Sequence, residues 1–87
     1  MKEIMHVEDA FSVKDIGVIV SGRNPIFESM TTAEIKFLVG SRVRIAEDSF
    51  EVKDVVVSES FLGKKNVSIA LAGDTQVARG SILYSLS

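Results

Sequence analysis

Apolar positions in this chain come in short runs, and most of those runs alternate with polar residues. In Asn66–Gly73 the alternation is clearest: Val67, Ile69 and Leu71 share one face, while Ser68, Ala70 and Ala72 share the other. Such a period of two is the signature of a strand with one buried face. Gly17–Gly22 (GVIVSG) reads the same way, as does VRI at 43–45, where Val43 and Ile45 face inward and Arg42 and Arg44 outward. Glu51–Glu59 predicts a longer strand and Gly80–Ser87 a last one. Valine and isoleucine dominate these runs, and their stiff χ1 suits a pleated surface.

Turn signals separate the runs. Lys14-Asp15-Ile16-Gly17 turns a first hairpin, Glu47-Asp48-Ser49 a second and Gly63-Lys64-Lys65-Asn66 a third, while Gly73-Asp74 opens a fourth. Several short strands at this spacing predict an all-β domain, either a closed barrel or a small sandwich. Closure suits so small a sheet because it removes exposed edges.

The segment 24–38 is read less simply. Pro25 ends the preceding strand, since proline donates nothing to a ladder. Thr31 and Glu34 have capping-box spacing, consistent with a helical turn. The run Ile35–Val39 reads equally as a strand, and a strand from about Glu34 is the expectation carried forward.

Composition then narrows the classes. Eighty-seven residues make one small domain over 1–87, with 46% hydrophobic and 25% charged residues. The formal net charge of −2 is not that of a protein that coats nucleic acid, so any RNA contact requires a local patch. There is no cysteine, which removes disulfide frameworks, zinc ribbons and thiol chemistry. MKEIMHVEDAF contains no apolar run of signal-peptide length, and no stretch of about 18 apolar residues suggests a membrane span. The expectation is a soluble cytoplasmic protein.

Motifs for chemistry are sparse. Neither GxxxxGK[ST] nor GxGxxG occurs, and no serine lies in GxSxG. His6 is the single histidine, and no nucleophile is spaced to use it as a base. Glu8-Asp9 and Glu47-Asp48 are sequence neighbours, so on strands their carboxylates face opposite ways. No catalytic, cofactor or metal residue is assigned, and a non-enzymatic role is expected.

Several stretches together resemble the second domain of elongation factor Tu and other translational GTPases. Glu8-Asp9-Ala10-Phe11-Ser12-Val13 followed by Gly17-Val18-Ile19-Val20-Ser21-Gly22-Arg23 is similar to the family's opening hairpin. Leu38-Val39-Gly40 with Val43 and Ile45, then Asn66–Gly73, then Ala78-Arg79-Gly80-Ser81-Ile82-Leu83 resemble later family landmarks in the family's order. The resemblance implies a closed six-stranded Greek-key barrel. It also implies contact with RNA, the ribosome or a GTPase partner, and an aminoacyl pocket whose matching positions are Glu8, Asp9, Phe11 and Asn66. Asp15-Ile16 departs from the family's Gly-Arg turn, Lys64-Lys65 replaces an acidic residue, and Ala72 replaces an arginine. The likeness therefore carries the barrel further than the tRNA contact.

Each candidate has a plainer reading beside the functional one. Phe11, Val18, Val20, Val43, Ile45, Val67, Ile69 and Leu71 are expected core, and Gly22, Gly40 and Gly80 are expected to permit turns or bulges. Arg42, Arg44, Lys64 and Lys65 form either a patch for RNA phosphate or a solvated strand face and a charged hairpin tip. Glu8 and Asp9 either hold a ligand's amino group or sit at a turn and edge. Phe27, Met30 and Phe37 are either contacts for a protein partner, including a second copy in a homodimer, or the cap on a barrel end.

Overall fold

The computed structural model describes residues 1–73 and 76–86. The described residues form seven strands: β1 Lys2–His6, β2 Asp9–Val13, β3 Gly17–Gly22, β4 Arg42–Ile45, β5 Asp48–Glu59, β6 Lys65–Leu71 and β7 Ile82–Ser85. A 3₁₀ turn (Pro25–Ser29) and one helix, α1 (Thr32–Val39), lie between β3 and β4. The strands form a single antiparallel sheet in the order β1-β7-β4-β5-β6-β3-β2. The sheet has seven strands and is not closed, where a closed barrel of six was expected. Its two end strands, β1 and β2, are consecutive in the chain. Where they meet, the Val7 N–H donates to Ser81 O at 2.8 Å and the Glu8 N–H to Ser21 O at 2.8 Å.

The alternating runs behave as their pattern predicts. Val43 and Ile45 are buried with Arg42 and Arg44 exposed, and Val67, Ile69, Leu71, Val18 and Val20 are all buried. β5 is longer than expected. Its hairpin with β4 turns at Ala46-Glu47, where Ala46 takes a left-handed φ of 56°, so Asp48 and Ser49 already belong to the strand. Likewise Lys65 and Asn66 stand in β6, and the third hairpin turns at residues 60–64. The expected turn at Gly73-Asp74 falls in part outside the described residues.

Strand β1 was not expected, and its pairing with β7 explains why. Glu3 faces Tyr84 and Met5 faces Leu83, so Ile4 is an extra residue in a bulge. Ile4 and Met5 are consequently both buried, which erases the alternation that marks the other strands.

The expected strand from Glu34 is instead helix α1. Thr31 accepts the Glu34 N–H at 3.1 Å, and the Glu34 carboxylate accepts the Thr31 N–H at 2.8 Å, a complete capping box. Burial separates the two readings. A strand would put Ile35, Phe37 and Val39 on one face, whereas the helix buries Ile35 and Val39 at i and i+4 and turns Phe37 outward, 89% exposed. Gly40 ends the helix with φ 76°, and its N–H donates to Lys36 O.

Two further expectations are corrected. Phe11 is not core: it pairs with Ile19 on the outer face, while its neighbours Ala10 and Ser12 lie opposite the buried Val20 and Val18. Gly22 is not in a turn. It is the last residue of β3, and a Cβ there would lie 2.3 Å from the His6 carbonyl oxygen, so its role is to let β3 approach the end of β1. Gly80 does sit at a turn, with φ 85°.

Candidate functional site

A large apolar groove lies beside α1. It has a volume of about 940 Å³ and is lined by Met30, Ala33, Phe37 and Leu38 together with Lys2 and Lys36, among others. The segment that builds it is firmly tied down. Asn24 caps the 3₁₀ turn by accepting the Ile26 N–H at 3.1 Å, and its amide donates to Ile4 O at 2.7 Å. Phe27, fully buried, plugs the core beneath the turn. Lys65 donates through Nζ to Met30 O, and the buried Ser85 hydroxyl donates to Val39 O at 3.1 Å. Backbone and side-chain hydrogen bonds from Thr31 hold the Glu34 carboxyl below its ordinary range, so the cap is ionised at neutral pH.

Of the three expected partner contacts, Met30 and Phe37 line this groove, with Met30 half-buried and Phe37 almost fully exposed. Phe27 does not: it is a core residue, because the 3₁₀ turn rolls its ring inward. Leu38 and Lys36 were missed as groove residues, since a strand reading gives them no common surface with Met30. The capping-box spacing was the signal that locates them.

A second groove, about 490 Å³, brings Glu8 and Asn66 together, with Arg23, Glu59, Leu62 and Lys64 around them. The Glu8 carboxylate lies 3.5 Å from Arg23 Nε. Asp9 and Phe11 are not in this groove. Asp9 lies 3.8 Å from Arg79 Nε, and Phe11 lines a separate groove with Ser12, Val18 and Val77. Arg23 and Arg79 were not singled out as site residues, although both stand in the Gly-Arg and Arg-Gly landmarks.

The four cations do not converge. Arg42 lies opposite Glu51 and Lys65 opposite Glu59, eight positions further along β5, or about 26 Å of extended strand. Each therefore faces a carboxylate across the ladder, the usual arrangement of a solvated sheet face. Arg42 also donates to Ser49 Oγ at 3.2 Å, and Arg44 to Ala46 O at 2.9 Å. Lys64 lines the groove of Glu8 and Asn66, while Arg44 lines a different one with Met1, Ile82 and Tyr84.

His6 Nε2 lies 3.5 Å from Glu3 on the exposed edge of β1, with both side chains at least half exposed. Among the described residues, no three of His, Cys, Asp and Glu gather as metal ligands, and no helix is long and apolar enough to cross a membrane. No family model matches the chain, and neither a curated protein nor a solved structure matches it.

Proposed function

We propose that this chain is a non-enzymatic docking module that binds a protein partner through the α1 groove. One observation carries the reading: Phe37, 89% exposed, stands at the edge of an apolar groove on a helix anchored at both ends. Exposed aromatic side chains beside an apolar pocket are the usual anchors of protein interfaces. RNA has less support, because the cations lie in separate places, each group beside carboxylates. The relation to the second domain of translational GTPases belongs to the same proposal. It is supported by the order of the landmarks and by the sheet's end strands being neighbours in the chain, an arrangement suited to a barrel of that type. The partner would then be a GTPase-like protein.

The test is affinity capture from cell extract with the wild-type chain and with Phe37→Asp, alongside light scattering of each. A protein retained by the wild type and lost with Phe37→Asp supports the reading, and a dimer lost in the same way makes the partner a second copy. Equal retention by both forms refutes the α1 groove. Binding to ribosomes that falls steeply with salt and ignores Phe37→Asp moves the function to RNA.

A second reading rests on Glu8 and Asn66 sharing a groove with Arg23 and Lys64. Two carboxylates (Glu8 and Glu59), an amide and two cations suit a small zwitterion, its amino group on the carboxylates and its own carboxylate on the cations. A ligand at about 100 times its Kd adds about 2.7 kcal/mol to stability, or about 10–20 °C in Tm for a domain of this size. If none of the twenty amino acids shifts the melting point, this reading fails.

A further inference from the structure

We infer that the outer edge of β2 accepts an extended peptide from another protein as an added strand. The site is separate from the α1 groove and does not depend on it. β2 ends the sheet, so among the described residues only one of its edges is paired. The Val13 carbonyl turns towards β3 and accepts the Ile16 N–H at 3.1 Å. Alternation along an antiparallel ladder then points Phe11 and Asp9 the same way, and directs the N–H and C=O of Ala10 and Ser12 to the outer edge.

Among the described residues, the chain covers this edge only as far as Glu8. Arg79 Nε donates to Glu8 O at 3.1 Å and the Gly80 N–H to Val7 O at 2.7 Å. Beyond that point the two segments diverge. Between β2 and Gln76–Ala78 lies a groove of about 480 Å³, floored by Val18. Ser12 is exposed although it faces the core side opposite the fully buried Val18, so the wall of the fold is incomplete there.

These features select the occupant. Donors and acceptors spaced along a strand edge are matched in register only by another extended backbone. Ala10 and Ser12 are small, leaving room for an apolar side chain at each inward position of the added strand, and Phe11 offers a ring to an outward one. Charge is balanced along the edge, with Glu8 and Asp9 beside Arg23 and Arg79, and Lys14 beside Asp15. The complementary segment is therefore uncharged, alternating apolar and polar, and four to five residues long.

The probe is a blocked heptapeptide of alternating threonine and valine, titrated into the whole protein and followed by amide NMR. A control peptide carries N-methyl groups on alternate residues of its docking edge. Strand addition shifts the Ala10 and Ser12 amides and slows their exchange. The N-methylated peptide then binds at least about tenfold more weakly, as does the normal peptide to Ser12→Pro, which lacks the outward N–H. Unchanged exchange at Ala10 and Ser12, or equal binding of the N-methylated peptide, overturns the inference. So does protection that grows with protein concentration alone, because the occupant is then a second β2. Should Ser12→Pro fail to fold, the two peptides on the wild-type protein decide the matter.

Discussion

Replacing Gly22 with alanine forces two strands apart at the point where the sheet's ends come together. The new Cβ would lie 2.3 Å from the His6 carbonyl oxygen and 3.1 Å from Met5 Sδ. The methionine tip can swing away, but the carbonyl is backbone. Ordinary contact begins near 3.4 Å, so β1 must withdraw by about 1 Å. It is not free to do so: His6 pairs with Ile82, and the adjoining Val7 N–H is bound to Ser81 O. Overpacking of this kind costs about 1–3 kcal/mol, and loosening one ladder hydrogen bond adds about 1 kcal/mol. The expected loss is about 2–4 kcal/mol out of a total of about 4–13 kcal/mol for a domain of this length. In urea, with a slope of about 1 kcal/mol per molar, the midpoint falls by about 2–4 M, with the slope unchanged. Gly63→Ala is the control. Its φ of 81° carries strain, but its Cβ meets nothing within 4 Å, so about 1 kcal/mol is expected. Equal midpoints for the two variants would refute the close-approach account of Gly22.

Phe27→Ala should cost about 3–5 kcal/mol by opening a cavity under the 3₁₀ turn, read as a fall in the thermal or urea midpoint; a loss below 1 kcal/mol would return Phe27 to the surface. Phe37→Asp should leave stability within about 0.5 kcal/mol of wild type while abolishing partner capture, since the ring packs on nothing that unfolding exposes further. The ionised Glu34 cap has a folded pKa below its unfolded value of 4.5, so its contribution is present above that value and is lost as pH falls through the lower folded one. The stability gap between wild type and Glu34→Gln should accordingly close on acidification below pH 4.5, and a gap that is constant with pH would show that charge plays no part in the cap.

How much of this was legible in the sequence depended on whether one residue could be read at a time. β3, β4 and β6 each bury one face against the same core, so strict alternation identified both the strands and the buried side chains. β1 buries adjacent residues because Ile4 bulges, and a period-two test cannot see a strand that breaks its own period. The run Ile35–Val39 satisfies periods of two and four equally. What decides it is a pair of reciprocal hydrogen bonds at Thr31 and Glu34, visible in the sequence as a spacing but outweighed there by the apolar run. Phe11 has a core residue's chemistry and a surface position, because register with Ile19, not hydrophobicity, sets its face.

The candidate sites follow the same logic one level up. Glu8 and Asn66 lie 58 positions apart, and no local pattern joins them; they meet because β3 pairs with both β2 and β6. Arg42 and Lys65 are closer in sequence yet lie at opposite ends of β5, which is long enough to serve both halves of the sheet. A charge cluster inferred from composition therefore dissolves along a twelve-residue strand, while a groove no composition suggests forms where the end of that strand meets the ends of its neighbours. The α1 groove arises differently again. Once Ile35 and Val39 are spent on the core, a helix with a hydrophobic residue at position 37 has no way to bury it against its own sheet. Phe37 is exposed as a geometric consequence of the helix, and that consequence is what makes the face available to another molecule.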